Sequence, residues 1–122
     1  MKIFISQPMS GRTEEEILKE RAMAIHDLKG MYGDKVEFLY SYFPDPEPAL
    51  RLLGRALEVM ADADMAIFID GWRNSRGCRI EYLCAGEYGI KTAELIYMRQ
   101  YPCVYDPEYT IDDVIKGGYY ED

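Results

Sequence analysis

Glu81 is the side chain of this sequence best placed for covalent chemistry. It lies four residues after Gly77 in GCRIEYLCAGEYG, behind an apolar run, Asp64–Ile69, and a polar loop, Asp70–Arg76. A glycine that opens a helix leaves backbone N–H groups free at the positive helix end, where an anion binds and a carboxylate stays ionised. An ionised carboxylate held in a pocket is a competent nucleophile towards an anomeric carbon. The bland alternative is a solvated glutamate that complements the helix dipole. Asp64 opens the apolar run and Asp70 closes it, so the two acids belong at opposite ends of one strand. Ser10-Gly11-Arg12 and Ser75-Arg76-Gly77 both have the character of anion-binding loops, and Arg73, Arg76 and Arg79 fall within seven residues.

Other chemistries lack their residues. No G-x-G-x-x-G or G-x-x-x-x-G-K-[ST] occurs, so dinucleotide binding and Walker-type hydrolysis lose their main signals. The single histidine, His26, falls mid-helix, which leaves no Ser-His-Asp or Cys-His relay. Cys78, Cys84 and Cys103 lack metal-ligand spacing and are odd in number, so neither a zinc site nor a disulfide framework is expected. No metal and no cofactor are implied.

These residues need a scaffold, and the chain alternates in a way that builds one. Lys2–Ser6 reads as a buried strand. Thr13-Glu14-Glu15-Glu16 has the capping-box pattern, and the helix it starts should run to about Met31 with a stripe of Leu18, Ala22, Ile25, Leu28 and Tyr32. Lys35–Tyr40 reads as a second strand. Pro44, Pro46 and Pro48 then force a loop whose aromatics Tyr40, Tyr42 and Phe43 either line a pocket or cap the core. Ala49–Ala61 is a helix with two apolar stripes, one more than a sheet requires. The second suits a dimer interface or a wedge between sheet and a neighbouring helix. Asp64–Ile69, Gly77–Tyr88 and Thr92–Met98 complete strand, helix, strand. Alternation with short connections implies an α/β Rossmann-like or flavodoxin-like three-layer sandwich with a mainly parallel sheet of four or five strands. Residues 1–98 form this domain. Residues 99–122 are an extension packing on it or on a partner subunit, with a short helix expected at Thr110–Lys116.

In such a sheet ligands gather beyond the carboxyl ends of the strands. Two segments should meet there: Gln7, Pro8, Met9, Ser10 and Gly11 after the first strand, and Asp70 to Glu81 after the third.

Composition bounds the partners. With 48% hydrophobic residues over 122 positions, the chain supports one cored domain. A net charge of −8 repels nucleic-acid backbones and anionic membranes, so neither a nucleic-acid polymer nor a membrane is expected as partner. The apolar start MKIFISQPMSG is too short for a signal peptide, and a cytoplasmic location is expected.

Three features together resemble the nucleoside 2-deoxyribosyltransferase-like superfamily, and within it a small phage and bacterial branch. They are the opening KIFISQPMSG, the strand Ala63–Ile69 led by Ala-Asp, and the G-x-x-x-E-x-x-x-A-x-x-x-G run Gly77, Glu81, Ala85 and Gly89. The likeness covers roughly Met1 to Tyr97. It implies that Glu81 attacks C1′ of a nucleoside or nucleotide. Asp64 would assist the departing base, and Gln7 to Gly11 would contact sugar or 5′-phosphate. It also implies a homodimer or higher oligomer. Two departures stand out: Phe4 replaces a tyrosine, and Gly71-Trp72-Arg73-Asn74-Ser75-Arg76 replaces an acid-and-small-residue loop. In that loop Trp72 could stack on a base, and Arg73 or Arg76 could hold a phosphate. The expectation moves towards a nucleoside 5′-monophosphate, with hydrolysis of the N-glycosidic bond at least as expected as transfer. A non-catalytic nucleotide binder on the same fold is the alternative, and an interaction protein using the tail Tyr101–Asp122 is a third.

Overall fold

β1 (Lys2–Ser6) buries every side chain after Lys2, and β3 (Met65–Ile69) buries all five. Strands buried on both faces belong at the centre of a parallel sheet, and these two lie side by side in register from Ile3↔Met65 to Ser6↔Phe68. The computed structural model describes residues 1–98 and 101–105. Its sheet has the order β2-β1-β3-β4-β5, with β2 at Glu37–Phe38, β4 at Lys91–Met98 and β5 at Tyr101–Tyr105. The first four strands are parallel and β5 is antiparallel to β4. The fold is therefore the expected three-layer α/β sandwich. β5 lies in the tail, where sequence reading placed no strand, and the helix expected at Thr110–Lys116 lies outside the described residues.

Two cores sit on the two sheet faces. Ile3, Ile5, Ile67, Ile69 and Leu95 meet Ala24 and Leu28 of α1 (Glu14–Tyr32). Phe4, Ala66 and Phe68 meet Ala56 and Met60 of α2 (Ala49–Met60) and Tyr82 and Ala85 of α3 (Arg76–Glu87). Each large apolar side chain so buried contributes roughly 1.5–3 kcal/mol of transfer free energy.

The predicted capping box is formed: Thr13 Oγ1 accepts from Glu16 N, and Glu16 Oε1 accepts from Thr13 N. Gly33 ends α1 at φ +92°, a conformation that disfavours other residues. The buried face of α1 differs from the predicted stripe. Ile17, Ala24 and Leu28 turn inward, while Leu18, Ala22 and Tyr32 are exposed. The cause is Arg21, a charged residue on the inward face that breaks its apolar pattern.

β2 is shorter than the Lys35–Tyr40 run suggests. Beyond Phe38 the Leu39 N–H still reaches Ile3 O. Ser41 then substitutes a side chain for the ladder, its hydroxyl donating to Ile5 O at 3.1 Å. α2 follows the proline loop without a side-chain cap.

Candidate functional site

The sheet reverses its winding between β1 and β3. α1 leaves β1 on one face, and α3 leaves β3 on the other. A crevice opens at the carboxyl ends of two strands that diverge in this way. A short 3-10 turn (Trp72–Asn74) follows β3, entered through Gly71 at φ +87°. Ser75 then caps α3, its Oγ accepting from Cys78 N at 3.4 Å. The helix therefore begins at Arg76, one residue before the predicted start, and Glu81 falls in its second turn.

A cavity of about 520 Å³ occupies this crevice. Gln7, Met9 and Ser10 form one side, and Asn74, Ser75, Arg76, Gly77, Cys78 and Arg79 the other. Ala49, Leu52, Leu53 and Ala56 of α2, with Phe4 and Phe43, give an apolar wall. Glu81 lines it too and is only 8% exposed. Among the described residues it is the one carboxylate of this wall, which also holds Arg76 and Arg79.

Ser6 Oγ donates to Glu81 Oε1 at 2.6 Å, a bond between side chains 75 residues apart. Burial pushes the Glu81 carboxyl up to about 7, against the downward pull of the Ser6 hydroxyl and the charge of Arg21. The expectation that the helix dipole keeps Glu81 ionised is corrected by this: the dipole's influence fades beyond the first turn, and desolvation dominates in the second. Burial, reinforced by the nearby Glu81 charge, pushes the Cys78 thiol up to about 12. Cys78 is thus a neutral wall residue at neutral pH, since the nucleophilic form of cysteine is the thiolate.

A polar network fixes the β1 side. Gln7 Nε2 donates to Ile17 O at 2.8 Å and to Glu20 Oε1 at 2.9 Å. Arg12 bridges Pro8 O and Glu20. On the opposite side Glu94, with 0% exposure, accepts from Trp72 Nε1 at 2.6 Å and pairs with Arg73. Arg79 Nη1 donates to Arg73 O at 2.7 Å, which ties this loop to α3.

The residues singled out by sequence that share the cavity are Gln7, Met9, Ser10, Arg76, Gly77 and Glu81, with Phe43 of the proline loop, Ser75 of the second anion-binding loop and Arg79 of the arginine cluster. Pro8 and Gly11 shape the turn behind it, Gly11 at φ +76°. Asp70 lies at the surface beyond β3, where its Oδ2 accepts from Tyr97 N at 2.9 Å. Trp72 is not available to stack on a ligand. It is 1% exposed, stacked on Tyr82 at 4.6 Å and packed against Phe68, because Glu94 draws its indole N–H into the core. Arg73 follows the same pull towards Glu94. Asp64 lies outside the cavity as well. It precedes β3 at the amino edge of the sheet and accepts from Lys2 N at 2.7 Å, so the structure does not bring it to Glu81.

Sequence reading missed Ser6, Ser41 and Asn74 as site residues, and named Arg79 only as part of the arginine cluster. Ser6 had a signal: a small polar residue ending an apolar strand at the sheet's carboxyl edge. His26 is exposed on α1. Among the described residues no group of three His, Cys, Asp or Glu side chains is placed to hold a metal, and no helix is long and apolar enough to cross a membrane.

The model of a family described as "Domain of unknown function (DUF4406)" matches residues 1–94. No curated protein and no solved structure matches.

Proposed function

The chain belongs to the DUF4406 family, and on that premise we propose that it cleaves the N-glycosidic bond of a nucleoside 5′-monophosphate or a nucleoside through Glu81. One observation carries the reading: a single carboxylate, held by Ser6 Oγ at 2.6 Å, in the wall of a cavity that also contains the start of a capped helix. The ionised Glu81 attacks C1′ and forms a glycosyl ester. The C1′–N bond breaks, and its electron pair leaves with the base, which takes a proton from solvent. Water then hydrolyses the ester, or a second base accepts the sugar. The 5′-phosphate is assigned to Ser10, Arg76 and the N–H groups at the start of α3, a geometry suited to anions. The base lies against Phe43 and the apolar face of α2. The likeness of the Gly77-Glu81-Ala85-Gly89 run and of KIFISQPMSG to the 2-deoxyribosyltransferase-like superfamily supports the same assignment. The role of assisting acid that the likeness gives Asp64 has no support from its position.

The absence of a second carboxylate among the described wall residues favours a second reading, in which the cavity binds a nucleotide without cleaving it. Glu81→Ala separates the two. Catalysis requires that the variant lose base release while still binding nucleotide. Equal release by both proteins refutes it. We place the protein in the cytoplasm, where Cys78 and Cys84, which form no disulfide with one another, would stay reduced. We also assign a homodimer through α2, on which Leu50 is 79% exposed.

A further inference from the structure

The inward face of α1 carries a cation where a side chain packing on the sheet would ordinarily be apolar. Ile17, Ala24 and Leu28 are buried, and Arg21 falls between Ile17 and Ala24 in the helical repeat. Its Nε donates to Gln7 Oε1 at 3.2 Å and its Nη1 to Ser41 Oγ at 3.1 Å. Each partner is locked from a second side: the Gln7 amide nitrogen donates to Ile17 O and Glu20, and the Ser41 hydroxyl donates to Ile5 O. Gln7 and Ser41 both line the cavity that Glu81 lines.

Both hydrogen-bond partners of Arg21 are neutral, and its Nη2 is buried without a partner among the described residues. A guanidinium that is desolvated but not cancelled by a contact ion pair acts strongly on the nearest buried carboxylate.

We propose that Arg21 is a positioning residue for Glu81: it clamps Gln7 and Ser41 at the ends of β1 and β2 and supplies the counter-charge to the Glu81 carboxylate across the crevice. The significance of this for catalysis rests on Glu81 being the nucleophile. Electrostatics agree in both directions, since Arg21 pulls the Glu81 carboxyl down, and the burial that lowers the Arg21 guanidinium is opposed by Tyr40, Glu81 and Tyr42. The other groups facing Glu81 are the Ser6 hydroxyl from β1 and the Cys78 and Cys84 thiols of its own helix, with Arg79 beyond Cys78. Among the described residues, Arg21 is the cation that acts on Glu81 from outside α3.

The test is a carbon-13 NMR titration of the glutamate side-chain carboxyls in the full chain without ligand, with Glu81 assigned by loss of its signal in Glu81→Gln. In Arg21→Met, which keeps the aliphatic stem, the Glu81 midpoint should rise by about half a pH unit or more, and Arg21→Lys should restore most of that shift. If Arg21→Met does not fold, Arg21→Gln is read in the same way. An unmoved Glu81 midpoint in a folded neutral variant overturns the proposal, as does a lysine variant shifted as far as the neutral one. No substrate enters this measurement, so it can fail while base release by the wild type stands, and the reverse.

Discussion

Two side chains carry the proposed chemistry at the residue scale. Glu81 is desolvated, and Ser6 gives it one strong hydrogen bond. A hydrogen bond to a charged group contributes about 1.5–3 kcal/mol, so Ser6→Ala should raise the Glu81 midpoint and move the acidic limb of kcat/KM to higher pH. In the wild type that limb should lie near 7, with activity rising as Glu81 ionises. Stability should run the opposite way. Between 4.5 and about 7 the folded chain holds more of the Glu81 proton than the unfolded chain does, so stability falls as pH rises through that window. The full loss is about 3 kcal/mol. Glu81→Gln removes it, and thermal unfolding at about pH 5 and about pH 8 should show the variant gaining on the wild type only at the higher pH. The place of Glu81 at the cavity was legible because glycine, glutamate, alanine and glycine recur at four-residue spacing behind a strand. Trp72 was misread because a sequence does not reveal that a glutamate 22 positions later lies buried beneath its indole.

At the scale of elements, the loop that delivers α3 is held from below. Glu94 receives both the Trp72 indole and the Arg73 guanidinium in a fully buried position of β4. Removing one partner of a buried pair costs roughly 3–5 kcal/mol, so Glu94→Ala should lower the unfolding midpoint markedly in denaturant melts. α1 offers a milder test. Thr13→Ala removes one half of the capping box and should cost about 1 kcal/mol by the same measurement. The cap was readable because its signal is local, four residues long. The buried stripe of α1 was not, because Arg21 occupies an inward position and made a different apolar row look continuous. β2 was overestimated for a related reason: Ser41 takes the place of a ladder bond through its side chain, which no alternation pattern reports.

At the scale of the whole molecule, the strand order places Ser6 and the loop after β3 at one switch point, and this much follows from alternation and strand polarity alone. The same polarity separates Asp64 from Glu81 by the length of β3, a tension already visible in the sequence. α2 forms the apolar wall of the cavity with one face and presents Leu50 to solvent with another. If a second copy covers that face, Leu50→Glu should convert a sedimenting dimer to a monomer, and a wild-type monomer would contradict the assigned assembly. The measurement that bears most directly on the central claim is chromatography for free base after incubation with a panel of nucleosides and nucleoside 5′-monophosphates. The wild type should release base from at least one member, and Glu81→Ala should release none while still binding it. Release that is equal in the two proteins, or absent for the whole panel with the wild type, would contradict it.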